Sequence, residues 1–344
     1  MEDLHIDAMT QPTVFITHSP SALANYYGPR ALAALQEVAD VQRGDAEAEA
    51  DWTTDALAYA ARNCDIIVSD RRTPGSGELL ARLPKLLAFC RCAVDIRNVD
   101  VAAASRHGIL VTQASAGFVT SVTEWIVGVM IDLSRSISAA AATYHSGVVP
   151  SAGMGRELRG STLGIICYGR IGRALAELAL ALRMNVLVAD PSAEVANPAL
   201  RKVSQPELLA LSDYVVCLAV ATPQTENLMN AAAYAAMKRS AYFINASRGN
   251  LVDEAALLQA LESRQIAGCA LDVGRAPDQM PSPELARHPR VIATPHVGGL
   301  TLPAIEHQSM ETVQQVAAIA HGRMPHGAVN AAQADRLRAW FESR

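Results

Sequence analysis

Two glycines and one aspartate in the middle of the chain have the types and the spacing that bind a dinucleotide. Gly169 and Gly172 follow an apolar strand and open a helical pattern, and Asp190 ends the next apolar strand. Free N–H groups at the start of such a helix bind a pyrophosphate, and an acidic side chain about 20 residues further on accepts hydrogen bonds from ribose hydroxyls. The segment therefore predicts a dinucleotide-binding βαβ unit.

One position of this fingerprint lacks the usual glycine. Cys167 stands where the first glycine makes the tight turn, so the motif reads C-x-G-x-x-G. A cysteine side chain is small and is tolerated if Cys167 keeps an ordinary negative φ, so we interpret the site as a variant of the fingerprint that still functions. The glycines alone also fit a βαβ unit without a ligand, an alternative that Asp190 disfavours.

Length and charge restrict the class of protein. The chain has 344 residues, of which 50% are hydrophobic and 18% charged, with a formal net charge of -5. This balance gives no electrostatic case for nucleic acid or an acidic membrane, so small molecules or a second copy are the expected partners. The six cysteines lack C-x-x-C spacing, so we expect free thiols, no metal site and, with an acidic N-terminus, the cytoplasm.

Apolar strands alternate with Ala-rich helical stretches along the chain, which is typical of parallel α/β sheets. A helical pattern runs from Ser121 to Tyr144, and another begins near Leu302. Besides the fingerprint strand, we expect strands at 14–17, 65–69, 86–90, 110–112, 185–189, 214–219, 241–246 and 291–294.

Three segments together resemble one known family. The fingerprint, INASRGNLVDE at 244–254 and TPHVGG at 294–299 are similar to the D-isomer-specific 2-hydroxyacid dehydrogenases, and milder matches extend over roughly residues 60 to 330. The resemblance implies an α/β fold of two doubly wound parallel-sheet domains: a flavodoxin-like substrate domain (1–105 plus 298–344) and a Rossmann NAD-binding domain (106–297). It also implies a homodimer built around the helix of residues 121–144.

Oxidising a 2-hydroxy acid needs a base for the hydroxyl proton and a cation for the neighbouring carboxylate. By resemblance, Arg248 is the substrate-binding arginine and His296 the acid/base, and each follows a predicted strand. An imidazole titrates near neutral pH, and a guanidinium grips carboxylate oxygens in pairs. Taken singly, the two residues would also fit a surface ion pair and a satisfied loop histidine.

The resemblance is incomplete at the glutamate that partners the histidine in the family. Pro277 occupies its place, Asp278 is the nearest carboxylate, and Glu284 is a more remote candidate. If no carboxylate faces the imidazole, its cation loses stabilisation, which favours proton acceptance over donation at neutral pH.

The loop that meets the substrate carboxylate in the family also differs, since Ala93 and Val94 open a stretch without glycine. The candidates to bind a second acidic group are Arg97, or Arg71 and Arg72 after the preceding strand. The alternative is that these charges are solvated or pair with each other, Asp95 included.

By the same resemblance, two aromatic residues, Phe118 and Trp125, stand where many family members have polar side chains. Phe118 would make the substrate pocket more apolar if it faced the cleft, and so would Trp125, although core packing is the commoner use of a helical tryptophan.

The cofactor expected from the resemblance is NAD. Asp190 would repel the 2′-phosphate of NADP, and neither Pro191 nor Ser192 supplies a compensating cation. The residues implied to border the cofactor are Tyr168, Gly169, Arg170, Ile171, Gly172, Asp190, Pro191, Ala219, Val220, Thr222, Pro223, Ala246, Ser247, Asp272 and Gly298.

The sequence thus predicts an NAD-dependent oxidoreductase that interconverts a D-2-hydroxy acid and its 2-keto acid. Two alternatives stay open. One is a non-catalytic NAD(H)-binding regulator on the same fold, which Pro277 favours. The other is a hydride-transfer enzyme whose histidine has a partner that is not a carboxylate.

Overall fold

The computed structural model describes residues 11–44 and 51–344, and of Asp278 the backbone alone. The chain forms two compact α/β units. The first comprises Met1–Gly117 and Leu302–Arg344, and the second comprises Phe118–Thr301. The chain therefore divides at Gly117 and Leu302 instead of at the expected residues 105 and 298, because the strand after residue 105 pairs within the first sheet.

The first unit is built on a parallel sheet of five strands in the order β2-β1-β3-β4-β5. The strands are β1 (Thr13–Ile16), β2 (Asp40–Arg43), β3 (Ile66–Ser69), β4 (Ala88–Arg91) and β5 (Leu110–Gln113). Every residue of β3 and β4 is buried, as expected for central parallel strands covered on both faces. The helices are α1 (Pro20–Tyr26), α2 (Pro29–Val38), α3 (Thr54–Ala60), α4 (Gly77–Ala81), α5 (Val101–Arg106), α13 (Leu302–Ala320) and α14 (Asp335–Glu342).

Alternate residues of these strands supply the two cores of the first unit. One core joins Val14 and Val68 to α2, α13 and α14 through Leu35, Val316 and Leu337. The other core joins Phe15, Ile67 and Phe89 to α3, α4 and α5. Side chains alternate between the two faces of a strand, so a continuous apolar strand supplies side chains to both cores.

The second unit has a parallel sheet of seven strands in the order β12-β11-β10-β9-β6-β7-β8. The strands are β6 (Thr162–Ile166), β7 (Asn185–Ala189), β8 (Leu200–Lys202), β9 (Tyr214–Cys217), β10 (Tyr242–Asn245), β11 (Gly268–Leu271) and β12 (Val291–Ala293). The helices are α6 (Val119–Arg135), α7 (Ile137–His145), α8 (Arg170–Ala181), α9 (Gln205–Leu211), α10 (Ala231–Ala236), α11 (Glu254–Glu262) and α12 (Pro283–Ala286). Single turns of 3-10 helix lie at Pro223–Thr225, Gly249–Leu251, Pro277–Gln279 and, in the first unit, Ala331–Gln333.

The fold class predicted from the sequence is confirmed: both sheets are parallel and carry helices on both faces. The single helix expected from Ser121 to Tyr144 is wrong in one respect, because Ser136 takes a left-handed conformation (φ 53°) and separates α6 from α7. No single helix in the described ranges is long and apolar enough to cross a membrane; α6 and α7 together, bent by 68°, pass on length and composition alone.

Candidate functional site

The glycine turn joins β6 to α8 in the second unit. Gly169 is the N-cap of α8, and a Cβ on Gly172 would lie 2.6 Å from the carbonyl oxygen of Cys167. A side chain at position 172 would therefore push the turn away from the helix. The first N–H groups of α8 have no partner within the helix, which gives this end its affinity for an anion such as a pyrophosphate.

Cys167 does not meet the condition of a negative φ under which its side chain would be tolerated without strain. Its φ is +77°, the left-handed region, because the turn demands at this place the conformation that glycine adopts freely. A Cβ in this conformation costs about 1 kcal/mol. Burial and the nearby Asp190 carboxylate raise the pKa of the Cys167 thiol, which also lies within reach of the backbone at Gly169 and Val220.

Asp190 follows β7 and is held by backbone amides. Its Oδ2 accepts a hydrogen bond from the N–H of Tyr168 at 2.8 Å, and its Oδ1 accepts from Ser192 at 2.8 Å and Ala193 at 2.9 Å. Partial burial alone would raise the pKa of Asp190, but these amides outweigh it and the pKa is lowered. The carboxylate is therefore ionised at neutral pH, as discrimination against a 2′-phosphate requires.

The other residues expected beside the cofactor follow strands of the same sheet. Tyr168 is buried beneath the Arg173 guanidinium, 4.5 Å from its ring, while Arg170 is exposed and Ile171 half-buried at the start of α8. The hydroxyl of Ser247, after β10, donates to the carbonyl of Ala219, after β9, at 2.7 Å. Thus the stretches Ala219–Pro223 and Ala246–Ser247 lie at the carboxyl ends of neighbouring strands, where open α/β sheets bind ligands.

Arg248 is placed by a turn that Asn245 stabilises. The buried side chain of Asn245 donates from Nδ2 to the carbonyl of Arg248 at 2.9 Å and accepts from the N–H of Ser247 at 3.1 Å. Gly249 follows without a side chain because its Cβ would lie 2.1 Å from the carbonyl oxygen of Gly274. The N-A-S-R-G motif therefore folds as one hydrogen-bonded unit that ends with the arginine.

His296 lies in the loop after β12, with φ +56°. Asp272, after β11, holds this loop through both carboxylate oxygens. Oδ1 accepts from the Thr294 hydroxyl at 2.7 Å and from the N–H of Val297 at 2.8 Å, while Oδ2 accepts from the N–H of Gly298 at 2.7 Å. The role of Asp272 in shaping the histidine loop was missed from the sequence, where it was assigned to the cofactor alone.

Phe118 and Trp125 pack against the histidine loop within the second unit. A Cβ on Gly299 would lie 3.2 Å from the Cβ of Phe118, and a Cβ on Gly298 would lie 3.6 Å from the Cγ of Trp125. Both rings also join the apolar core between α6 and α8. Glycine at these two positions lets the loop lie close to α6.

The segment in place of the family's glutamate folds into a tight loop. The N–H of Gly274 donates to the carbonyl of Gln279 at 2.8 Å, and a Cβ on Gly274 would lie 2.5 Å from the Cα of Pro281. Pro277 is exposed in a 3-10 turn; the side chain of Asp278 lies outside the described part of the structure. Glu284 lines a surface hollow of about 230 Å³ with Glu254, Leu258, Glu262 and others, but without His296.

The substrate-loop residues lie in the first unit, after β3 and β4. Ala93 and Val94 are half-buried. The Arg97 guanidinium forms a bidentate ion pair with Asp95, from Nε to Oδ1 at 3.0 Å and from Nη2 to Oδ2 at 2.7 Å. This is the mutual pairing that the sequence left open as an alternative. Arg71 lies with its guanidinium 4.7 Å from the ring centre of Tyr26.

The described residues include no group of three or more His, Cys, Asp or Glu side chains arranged to hold a metal ion. All six cysteines lie in the described ranges, and none forms a disulfide.

The fold and the site define a dinucleotide-binding α/β protein with an arginine and a histidine that follow the carboxyl ends of strands in its larger sheet. Residues 127–298 match the family model of the D-isomer specific 2-hydroxyacid dehydrogenase, NAD binding domain. The chain belongs to this family, as the sequence motifs predicted.

Similar proteins agree with this assignment. D-3-phosphoglycerate dehydrogenase 2 of Saccharomyces cerevisiae is 40% identical over 226 residues, covering 62% of this chain and 48% of its own length. D-3-phosphoglycerate dehydrogenase of Mycobacterium bovis is 32% identical over 314 residues, covering 90% of this chain and 58% of its own length. A crystal structure of a protein from Thermus thermophilus has a TM-score of 0.82 at 27% identity and covers 92% of this chain and 99% of its own. The chain thus spans about half the length of the curated relatives it matches.

Proposed function

We propose that the chain is an NAD-dependent oxidoreductase that interconverts a D-2-hydroxy acid and its 2-keto acid by hydride transfer. The observation that carries the proposal is the strand order β12-β11-β10. His296 follows β12, Asp272 follows β11 and Arg248 follows β10, so all three lie at the carboxyl ends of neighbouring strands, with Asp272 in the middle. Acid/base and carboxylate-binding groups then flank one place, as oxidation of a hydroxyl beside a carboxylate requires.

Each residue has a distinct task. Arg248 binds the carboxylate of the acid through its planar guanidinium and orients the reacting carbon. His296 takes the hydroxyl proton during oxidation and returns a proton to the carbonyl oxygen during reduction. NAD supplies the acceptor for the hydride that leaves the same carbon, so the proton and the two-electron hydride are both accounted for.

The residues of the second unit fit this cofactor. The N-terminus of α8 binds the pyrophosphate through free N–H groups, and the ionised Asp190 accepts hydrogen bonds from the adenosine ribose. Gly172 keeps the turn against the helix, where a Cβ would meet the Cys167 carbonyl. No basic residue follows Asp190 at positions 191 and 192, which favours NAD over NADP.

The decisive experiment follows NADH absorbance at 340 nm with a panel of 2-keto acids: glyoxylate, hydroxypyruvate, phenylpyruvate and a dicarboxylic member. We expect turnover that His296→Ala reduces by about three orders of magnitude, while Arg248→Met mainly raises KM. His321→Ala, an exposed histidine directly after α13, is the matched control and keeps full activity. NADH binding without turnover of any acid would contradict the proposal and favour the regulator.

The assembly we propose is a homodimer formed by α6 and α7. The described residues of α7 include no buried side chain, and Ile131, Ile137, Tyr144 and Val149 are exposed along this segment. Exposed apolar side chains concentrated in one segment are typical of an interface. Ile137→Asp is expected to shift sedimentation toward the monomer, whereas Tyr59→Ser, which changes a more exposed aromatic residue on α3, leaves it unchanged.

The six thiols, which form no disulfide, fit a reducing compartment, and we propose the cytoplasm. The expected partners are a small 2-hydroxy or 2-keto acid and a second copy of the chain, with no role for nucleic acid or a membrane.

A further inference from the structure

One arginine of the first unit is buried inside the carboxyl edge of its sheet. Arg91 ends β4 and is 2% exposed. Its guanidinium donates from Nε to the carbonyl of Asp95 at 3.2 Å and from Nη1 to the carbonyl of Thr73 at 3.1 Å. It also donates to the carbonyls of Asp70 and Arg71. Its hydrogen bonds within the described chain therefore go to main-chain oxygens.

These carbonyls belong to two loops, 70–73 after β3 and 92–98 after β4. Asn98 adds a second link, because its Nδ2 donates to the carbonyls of Arg71 at 3.2 Å and Thr73 at 3.4 Å. The planar guanidinium of Arg91 thus fixes four carbonyl groups that lie outside the strand-pairing hydrogen bonds of the sheet. Without it, the carbonyls of Asp70 and Asp95 would lose the hydrogen bond from Arg91, and those of Arg71 and Thr73 would keep the one from Asn98, at a cost in folding free energy.

The charge of Arg91 is costly to bury. Desolvation lowers its pKa to about 10, against the opposing effects of Asp70 and Asp95. The Asp70 carboxylate is itself engaged by Thr73, whose N–H donates at 2.8 Å and whose hydroxyl donates at 2.5 Å. An apolar side chain of similar size would fill this space without the desolvation cost, so the guanidinium serves the geometry of the loops.

We propose that Arg91 is a positioning residue that fixes both loops in the shape that binds the acidic end of the 2-keto acid. The proposal rests on the proposed function and deepens it. The loops carry Arg71, Ala93, Val94 and Arg97, the candidates for contact with that end. Because the loops are already ordered before binding, the acid does not pay for ordering them.

The test compares Arg91→Met and Arg91→Lys with a matched control in the same unit. Arg336 also donates to two main-chain carbonyls, of Leu83 at 2.9 Å and Leu86 at 3.2 Å, but outside the two loops. We expect Arg91→Met to raise KM for the 2-keto acid about tenfold or more with kcat changed less than about threefold. Arg91→Lys gives an intermediate KM because it keeps the charge but not the fork.

Arg336→Met is expected to lower the unfolding midpoint and leave KM unchanged, and the Kd for NADH stays constant in all variants. An unchanged KM in Arg91→Met, with an active wild-type protein, overturns the role of Arg91 and leaves the proposed function standing. If the wild-type protein turns over none of the acids, the proposed function fails, and hydrogen exchange of amides 95–98 decides the role of Arg91. Faster exchange in Arg91→Met than in Arg336→Met supports it, and equal exchange overturns it.

Discussion

The N–H of Gly298 donates to Oδ2 of Asp272 at 2.7 Å, so the loop that carries His296 is tied to the strand beside its own. Two further hydrogen bonds from Thr294 and Val297 occupy Oδ1 of the same carboxylate. A carboxylate that accepts three hydrogen bonds holds a loop in one shape more firmly than a neutral group does. The position of His296, the proposed acid/base, therefore depends on a residue that need not take part in proton transfer.

Asp272→Asn removes one acceptor oxygen and leaves at least one loop donor without a partner. We expect kcat to fall about tenfold or more because His296 is misplaced, and the free energy of unfolding to fall by about 1–3 kcal/mol. Steady-state kinetics and urea denaturation measure the two effects. Asp213→Asn is the control, since Asp213 also accepts a backbone N–H, from Thr162 at 2.8 Å, at the opposite end of the sheet. Equal losses of kcat in both variants would refute a specific role for Asp272.

Cys167→Gly relieves the strain of a side chain at φ +77°. After the greater flexibility of glycine in the unfolded chain is deducted, we expect a gain of up to about 1 kcal/mol in unfolding free energy. NADH binding, followed by fluorescence, stays the same or tightens. Cys167→Ala keeps the Cβ and removes only the thiol, so it should show no such gain. A glycine variant less stable than the wild-type protein would contradict this account.

Asp190→Ala removes the ionised carboxylate that follows β7. We expect the affinity for NADH to fall about tenfold and the preference over NADPH to shrink, because both ribose hydrogen bonding and repulsion of the 2′-phosphate are lost. Parallel fluorescence titrations with the two cofactors measure the change. Glu177→Gln, on the exposed side of α8, is the control for a general loss of negative charge. A variant that keeps its full preference for NADH would show that another residue discriminates.

His18 makes folding stability dependent on pH. Burial lowers its pKa to about 4, with Asp70 opposing and Arg91 and Arg43 adding to the shift. The folded protein keeps His18 neutral, whereas the unfolded chain takes up a proton at this residue below about pH 6.5. The contribution of the neutral His18 to the free energy of unfolding is therefore fully present above that pH. The free energy of unfolding falls by up to about 3 kcal/mol as the pH drops toward 4.

His18→Leu should flatten this part of the stability profile, and it removes two buried ring nitrogens that have no hydrogen-bond partner in the described structure. Urea denaturation at pH 7, 6, 5 and 4.5 measures the slope. His321→Leu, at an exposed position, keeps the wild-type slope. An undiminished slope in His18→Leu would assign the pH dependence to other groups.

The sequence predicted most of the buried strands, because a continuous apolar run is typical of a strand in a parallel sheet. It missed β2 and β8, which are edge strands with polar sequences, and the buried β11, which begins with glycine. The helix boundary at Ser136 was missed because a single left-handed residue leaves no trace in the apolar pattern.

The candidate site was predicted at the level of motifs and missed at the level of contacts. The spacing of Gly169, Gly172 and Asp190 was enough to predict the βαβ unit, which the structure shows as β6, α8 and β7. The positive φ of Cys167 and the three hydrogen bonds to Asp272 arise from how turns meet across neighbouring strands. The contacts of Asp272 leave no local sequence pattern, because its partners lie 22 to 26 residues further along the chain.

The close approach of Gly274 to Pro281 limits how this protein can be converted into a more typical member of its family. A side chain at 274 would collide with the backbone of the returning loop, 2.5 Å from the Cα of Pro281. Replacing Pro277 by glutamate would therefore add the missing carboxyl group to a loop of a different shape. An engineer who wants the family's histidine–glutamate pair has to transplant the whole segment 274–281.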